Sequence, residues 1–458
     1  MTAISQFVKH FVNLKYEDLP APAVEAAKKE VLDSLATALG GSTKPGVKEL
    51  VDLVREWGGK KQSTVIAYGF KCPAPNAAQV NAAMIHALDY DDGHQAALVH
   101  TGCVTVSTAF AVAERMGKVS GKELMTAIAL GGDFMARLGL AGRPGRTALS
   151  SGWHPTTLLG HFGAAAVAGR LMKLDKEKMI NALGLAYHQA GGAGSGVSDG
   201  ALAKRMGPGF AAKAGVTAAL MAERGITGER DPLEGKTGLF KTYMGGDYDP
   251  DILTAGLGKR FEGVNIGDKP YPCCGLIHAC VDAVLALKSR HKIEVEKIDE
   301  IIAYGGHSVY DLSQPLEVKR RPRTIIDAQF SVPWVVATAV VRGKVTVDDF
   351  TDSAIKRPEI LKWAQKVGGK LVPDMDRHGV GPGGVIIKMQ GGEEYREEVE
   401  HCLGSPERPM DFNDVTRKFR ECAASSLKPL SAATIDKVID LVGRLDTLDD
   451  AAAVIGLL

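Results

Sequence analysis

Residues 78–100 read Ala-Gln-Val-Asn-Ala-Ala-Met-Ile-His-Ala-Leu-Asp-Tyr-Asp-Asp-Gly-His-Gln-Ala-Ala-Leu-Val-His. The first eight residues predict a helix, and the last fifteen carry three histidines and three aspartates. On a continuing helix His86 and Asp89 would share a face, and Gly93 would end it as a C-cap glycine. Ionisable groups on apolar elements are costly unless they are paired or used. The stretch predicts a functional site at a helix end, and a hydrogen-bonded helix terminus without chemistry remains the simpler interpretation.

The chain around this stretch, up to about residue 225, predicts one helix after another. Several of these segments are rich in Ala and Gly and poor in charge, which is typical of buried, closely packed helices. We therefore expect a large helical domain with internal central helices. The predicted helices cover 20–41, 104–116, 122–138, 154–172, 179–190 and 208–224.

The pattern changes after about residue 260. Residues 297–304 predict a strand, and 383–389 with 394–399 predict a hairpin around Gly391 and Gly392. Helices are expected at about 276–290, 329–342 and 358–367, and again at 413–422 and 431–445. The fold class is thus mainly α with an α+β second domain. We expect a helical domain from 1–265 and 400–458, with a smaller α+β lid domain, 266–399, inserted before the C-terminal helices.

Composition excludes several classes of function. The chain has 458 residues and a net charge of +1, which argues against nucleic acid or a membrane surface as partner. No signal core is visible near the N-terminus, and seven irregularly spaced cysteines suggest reduced thiols, so we expect a cytoplasmic protein. Cys-x-x-Cys pairs, P-loops and dinucleotide fingerprints are missing from the sequence, which predicts no structural zinc and no nucleotide cofactor.

Two further segments place polar residues before predicted helices. His154 directly precedes Pro155, a residue typical of the first helical turn, so the helix dipole would lower the pKa of His154. Lys204 and Arg205 lie in the Gly/Ser-rich stretch 195–209, just before the helix expected at Pro208. Flexible backbone, two cations and a helix N-terminus suit a carboxylate or phosphate. The alternatives are a capping histidine and a solvated charge pair.

A third segment is Lys-Pro-Tyr-Pro-Cys-Cys-Gly-Leu-Ile-His, residues 269–278, which sets Lys269 and His278 on either side of a rigid loop before an apolar helix. A structural histidine is the alternative there. The segment 322–334 carries Arg323 and Asp327 and ends at Trp334; it is consistent with a simple helix entry.

Taken together, these segments resemble the MmgE/PrpD family. The matching pieces keep the family order over nearly the whole chain: 86–92, 152–156, 203–205, 269–278, 322–333 and 404–410. The resemblance implies a helical domain, a smaller lid domain, a homodimer, an active site between the domains, and neither metal nor organic cofactor. It places the family's active-site positions on Asp89, His100, His154, Lys204, Lys269 and His278.

The resemblance implies a small di- or tricarboxylate substrate and carbanion-like charge beside a carboxylate. Fixed cations, Lys204, Lys269 and Arg205, would stabilise that charge, and His100, His154 and His278 would move protons. Asp89 would orient a histidine or bind a substrate hydroxyl. Asp92 and Trp334 complete the predicted substrate contacts. Gly93, Trp334 and the Met206–Gly207 pair depart from the common family residues, which leaves the substrate open.

Our leading expectation is a hydro-lyase of the 2-methylcitrate dehydratase type. The same groups would permit epimerisation or decarboxylation of a related carboxylate. A metallohydrolase using the 86–100 cluster and a non-catalytic carboxylate-binding protein are the remaining alternatives.

Overall fold

The computed structural model describes residues 2–142, 152–377 and 380–458. These residues form two compact units. The helical domain comprises 1–194, 203–268 and 411–458, and the sheet domain comprises 195–202 and 269–410. The predicted fold class, mainly helical with a smaller sheet-containing domain, is confirmed.

The helical domain contains fourteen α-helices and two small ladders within the described part of the chain. Its helices are α1 Ala3–Asn13, α2 Ala21–Gly41, α3 Val47–Trp57, α4 Ala74–His86, α5 Gly102–Met116, α6 Gly121–Ala141, α7 Pro155–Leu171, α8 Lys176–Tyr187, α10 Ala203–Glu223, α11 Leu239–Met244, α12 Pro250–Thr254, α19 Phe412–Ala424, α20 Ala432–Gly443 and α21 Ala452–Ile455. The strands are β1 Ser63–Val65 with β2 Phe70–Cys72, and β3 Gly93–His94 with β4 Ile266–Gly267, both pairs antiparallel.

Small residues let the central helices approach closely. A Cβ built on Gly131 of α6 would lie 2.4 Å from a Val167 methyl of α7, and one on Gly215 of α10 would lie 2.4 Å from Ala164 Cβ. Helix α6 is long and apolar enough to cross a membrane, but 94% of its apolar window is buried inside the protein. These helices form the centre of the core, as their low charge predicts.

Two predicted helix boundaries are wrong, and both bear on the site. Helix α4 ends at His86, because Asp89 adopts a left-handed conformation with φ of 51° that no helix continues through. Gly93 is therefore no C-cap; it pairs with Gly267 in the β3–β4 ladder. Helix α10 begins at Ala203, five residues before the expected start at Pro208. Lys204 thus lies in the first turn of a helix and not in a flexible loop.

The sheet domain is built on one four-stranded sheet of order β6-β5-β7-β8. Strand β5 (Ile298–Gly305) is parallel to β6 (Val367–Leu371) and antiparallel to β7 (Gly383–Met389), which forms a hairpin with β8 (Glu394–Val399). Apolar side chains of the sheet and of the longer helices form a single core. The helices are α9 Ser195–Ser198, α13 His278–Arg290, α14 His307–Asp311, α15 Leu316–Lys319, α16 Ile325–Gln329, α17 Val332–Arg342 and α18 Pro358–Ala364.

Candidate active site

The segment between α4 and α5 is held in place by its own aspartates. The Asp92 carboxylate accepts hydrogen bonds from the main-chain N–H groups of Thr101 and Gly102, each at 3.0 Å, and so caps the start of α5. Gly102 has to be a glycine at this contact, because an added Cβ would lie 2.6 Å from Asp92 Oδ1. These bonds hold Asp92 against the start of α5 and so position part of the 87–101 segment, which carries three of the nine predicted site residues, Asp89, Asp92 and His100.

Two histidines meet at a single buried carboxylate in this segment. His86 Nδ1 lies 2.8 Å and His100 Nδ1 lies 3.5 Å from Asp91 Oδ2. The imidazole rings of His86 and His100 pack edge to face at 4.8 Å. His100 Nδ1 also lies 2.6 Å from the Asp92 carbonyl oxygen, and a carbonyl only accepts, so Nδ1 carries the proton and Nε2 presents a lone pair.

A third imidazole comes from the start of α7. His154 is the N-cap residue of that helix, with Pro155 in its first turn, and its ring lies 5.7 Å from the His86 ring. Its Nδ1 is 2.8 Å from Thr157 Oγ1. Burial lowers the pKa of His154 well below its usual value, and the charges of His86 and Lys204 lower it further. His154 is therefore neutral at pH 7.

Lys204 and Asp89 form a buried ion pair in the helical domain. Their side chains are 6% and 3% exposed. Left-handed backbone at Asp89 and the first turn of α10 bring the two residues together across 115 positions of sequence. The close approach of α10 to α7 depends on Gly207, since a Cβ there would lie 2.2 Å from Thr157 Oγ1. Part of the predicted site, Asp89, His100, His154 and Lys204, therefore converges in one domain.

Arg205 and Asp92 face other groups near this cluster. The buried Arg205 side chain donates through Nη1 to the Pro45 carbonyl at 3.0 Å. Asp92 holds the N-terminus of α5, as described above. Whether either residue contacts substrate stays a prediction.

The sheet domain contains the other three predicted residues. Lys269 and His278 are both buried, and His278 Nε2 lies 3.2 Å from the Cys273 carbonyl, so that this ring presents Nδ1 as its acceptor. Trp334 lies in the first turn of α17 and is 1% exposed in the sheet-domain core, with its ring 5.4 Å from that of Phe350. Their roles toward substrate stay predictions.

Three buried carboxylates, those of Glu30, Asp33 and Asp92, lie beside the imidazole cluster in the helical domain. Glu30 accepts hydrogen bonds from the hydroxyls of Thr101 and Thr105, and Asp33 pairs with the buried Lys418. Burial raises the pKa of Glu30 to about 7 and that of Asp33 to about 6. Burial also raises the pKa of Asp92, and the charge of Glu30 adds to that rise.

Some of these side chains also have the chemistry of cation ligands. The donor atoms of His86, Asp89 and His100 lie within 4.8 Å of one another, and so do those of His86, Asp91 and Cys103. Mixed imidazole and carboxylate sets suit several divalent metals. The metallohydrolase alternative therefore retains a geometric basis, although the Lys204 ammonium already supplies a positive charge to Asp89.

The predicted site does not include His86 and Asp91, which the structure places beside His100. Both lie in the segment 86–100, and the density of ionisable residues in that segment is the sequence feature that could have identified them. The resemblance gave no role to either position. Only the fold shows that Asp91 bridges His86 and His100.

Comparison with known proteins gives matches over most of the chain. Residues 5–251 match the model of the MmgE/PrpD N-terminal domain, and 271–442 match that of the MmgE/PrpD C-terminal domain. A cis-aconitate decarboxylase of Aspergillus terreus is 30% identical over 97% of this chain and 94% of its own length. The human cis-aconitate decarboxylase is 25% identical over 97% of this chain and 92% of its own. A cis-aconitate decarboxylase-like protein of Aspergillus oryzae is 27% identical over 97% and 95%.

Proposed function

The chain belongs to the MmgE/PrpD family of enzymes, and we propose that it is a carboxy-lyase that decarboxylates cis-aconitate or a close tricarboxylate analogue without a cofactor. The observation that carries the proposal is the convergence of three imidazoles near the Asp89–Lys204 ion pair, in a chain that aligns over 97% of its length with cis-aconitate decarboxylases. The hydro-lyase expectation gives way here to the decarboxylase alternative, which the relatives favour.

Decarboxylation makes two demands that these residues can meet. Breaking the bond between carbon and a carboxylate releases CO2 and leaves an electron pair on carbon, which a neighbouring carboxylate delocalises. A fixed cation stabilises that charge, and we assign this role to the buried Lys204, which pairs with Asp89. A proton must then be added to carbon, so the net reaction consumes one proton per CO2 and needs no oxidant or reductant.

The three imidazoles differ in burial and hydrogen bonding, which suits them to different roles in proton transfer. His154 is neutral and suits hydrogen bonding to substrate. His100 is the more exposed of the two rings at Asp91, with 18% of its side chain accessible against none for His86, and its Nε2 is directed away from the backbone bond. We assign proton delivery to His100. Lys269 and His278 are proposed to contact the substrate from the sheet domain, as the family resemblance implies.

Dehydration and epimerisation use the same groups and differ in what leaves the substrate. Dehydration requires protonation of a leaving hydroxyl, and epimerisation requires two proton transfers at one carbon with no bond to a carboxylate broken. A Cβ added at Gly93 would lie 3.9 Å from His100 Nδ1, an ordinary van der Waals contact, so the site has room for a side chain there. The volume at position 93 is thus one place where substrate choice can be set.

We further propose that the protein is a homodimer, as the family resemblance implies, and that it is cytoplasmic, as its cysteine usage suggests. Sedimentation at micromolar concentration tests the dimer, and a monomer would contradict it.

A substrate panel tests the proposed reaction. Purified enzyme is incubated with cis-aconitate, 2-methylcitrate and iminodisuccinate, and products are followed by NMR and by CO2 release. We expect CO2 from cis-aconitate and at most slow turnover of the other two. Dehydration of 2-methylcitrate without CO2 from any tricarboxylate would overturn the proposal in favour of a hydro-lyase.

A further inference from the structure

Asp91 lies where it can control two imidazoles at once. Its side chain is completely buried, and the single oxygen Oδ2 is 2.8 Å from His86 Nδ1 and 3.5 Å from His100 Nδ1. We propose that Asp91 is the positioning residue of this site, fixing the tautomer of His86 and stabilising the positive charge that His86 and His100 carry when protonated. The kinetic part of this inference rests on the proposed function; the tautomer part does not.

The tautomers follow from the acceptors that face each Nδ1. A carboxylate only accepts when ionised, so His86 Nδ1 must donate to Asp91, which leaves His86 Nε2 as the bare nitrogen. His100 is held in the same tautomer mainly by the Asp92 carbonyl at 2.6 Å. Both rings then present Nε2 for proton transfer. An imidazole bonded to a carboxylate is also a better proton acceptor than one bonded to a neutral group.

The groups around Asp91 favour this role over a purely structural one. Burial raises the pKa of the Cys103 thiol well above its usual value, and the charges of Asp91 and Asp92 raise it further, so Cys103 is a neutral neighbour. The cap of α5 is made by Asp92, and the ion pair with Lys204 is made by Asp89. Asp89 also lies within 4.8 Å of the donor nitrogens of His86 and His100, but its charge is paired with Lys204. Asp91 is the aspartate that hydrogen-bonds His86, and its substitution should leave the α5 cap and the Asp89–Lys204 pair in place.

A matched control exists in the same segment. His94 Nδ1 accepts from the Ala97 N–H, and its Nε2 donates to Glu262 at 3.4 Å. Glu262 is also buried, and the hydrogen bond from His94 is the main reason that its pKa falls to about 2. Replacing Glu262 with Gln removes a buried carboxylate from a histidine that has no assigned role in the reaction.

The experiment compares wild-type enzyme with Asp91→Asn and Glu262→Gln by two readouts. Proton–nitrogen correlation spectra of enzyme labelled with ¹⁵N-histidine show which ring nitrogen carries the proton, and His86→Gln and His100→Gln assign the signals. Wild-type His86 should be protonated at Nδ1. In Asp91→Asn the His86 signal should move toward the other tautomer while His100 keeps its own. Wild-type spectra alone decide this point if the Asp91 variant does not fold.

Kinetics with cis-aconitate give the second readout. Asp91→Asn should lower kcat between about ten-fold and 10⁴-fold, the range seen when carboxylates that orient histidines are replaced, with KM changed less than about three-fold. Glu262→Gln should retain kcat within about two-fold. Protonation of wild-type His86 at Nε2, or unchanged kcat in a folded Asp91→Asn enzyme, would overturn the inference. If wild-type enzyme releases no CO2, the proposed function fails, and the spectra still decide the role of Asp91.

Discussion

Breaking the Asp89–Lys204 ion pair should separate its structural role from its catalytic one. The useful substitutions are Lys204→Met, which keeps most of the side-chain volume, and Asp89→Asn. Asparagine suits position 89 because the backbone there is left-handed, with φ of 51°, a conformation that Asn tolerates well. Alanine at this position would add backbone strain to the loss of charge and confuse the comparison.

The expected loss of stability follows from the burial of the ion pair. Both side chains are less than a tenth exposed, and removing one partner of such a pair leaves an uncompensated charge at a cost of about 3–5 kcal/mol. At roughly 2–4 °C per kcal/mol for a large domain, each single variant should lose about 6–20 °C in Tm. The double variant leaves neither charge behind and should regain at least half of that loss. A lysine in a flexible loop, where the sequence placed Lys204, would scarcely affect stability, so the expected loss depends on its burial in the first turn of α10.

Catalytic activity should respond differently from stability in the wild type, the two single variants and the double variant. If Lys204 holds a substrate carboxylate, its loss removes a charge-assisted contact of about 1.5–3 kcal/mol, or one to two orders of magnitude in kcat/KM. That loss should persist in the double variant. Thermal unfolding and steady-state kinetics on all four proteins measure both effects. Recovery of kcat/KM to within about three-fold of wild type in the double variant would show that Lys204 serves only the fold.

Three other outcomes follow from the site. His100→Gln should lower kcat by about 10²–10⁴ with a small change in KM, measured by CO2 release, and near-normal turnover would place proton delivery elsewhere. Burial raises the pKa of Glu30 from 4.5 to about 7 in the folded protein. Between these two pH values Glu30 is ionised in the unfolded chain but protonated in the folded one, so the free energy of unfolding should fall as the pH rises from 4.5 to about 7. Glu30→Gln should flatten the dependence of Tm on pH and raise Tm at pH 8, and an identical profile in both proteins would contradict this account. Exhaustive chelation should leave turnover intact; a stoichiometric metal required for activity would support the metallohydrolase alternative.

Local signals predicted the elements that form from their own residues. The hairpin of β7 and β8 has the predicted bounds, since alternating apolar residues and the Gly391–Gly392 pair define both strands and turn within seventeen residues. Strand β6, with the sequence Val-Gly-Gly-Lys-Leu, carries no such signal and forms because it pairs with β5 in parallel. Non-local pairing of this kind cannot be deduced from one segment.

The same distinction holds for the site. The density of ionisable residues pointed to the segment 86–100, but a helical interpretation could not anticipate the left-handed Asp89 that ends α4. The convergence with Lys204 spans 115 positions, and the family resemblance supplied it where the residues alone did not. The bridge from Asp91 to His86 and His100 depends on the fold of the segment, which the spacing of these residues does not reveal.

The most direct test of the account is the stoichiometry of cis-aconitate turnover in D2O by wild-type enzyme. The proposed chemistry predicts one CO2 and one deuterium bound to carbon in each molecule of five-carbon unsaturated dicarboxylate, measured by NMR and mass spectrometry. Deuterium exchange into intact cis-aconitate without CO2 would show that the site moves protons and does not decarboxylate. Neither exchange nor CO2 release, in folded enzyme at saturating substrate, would contradict the central claim.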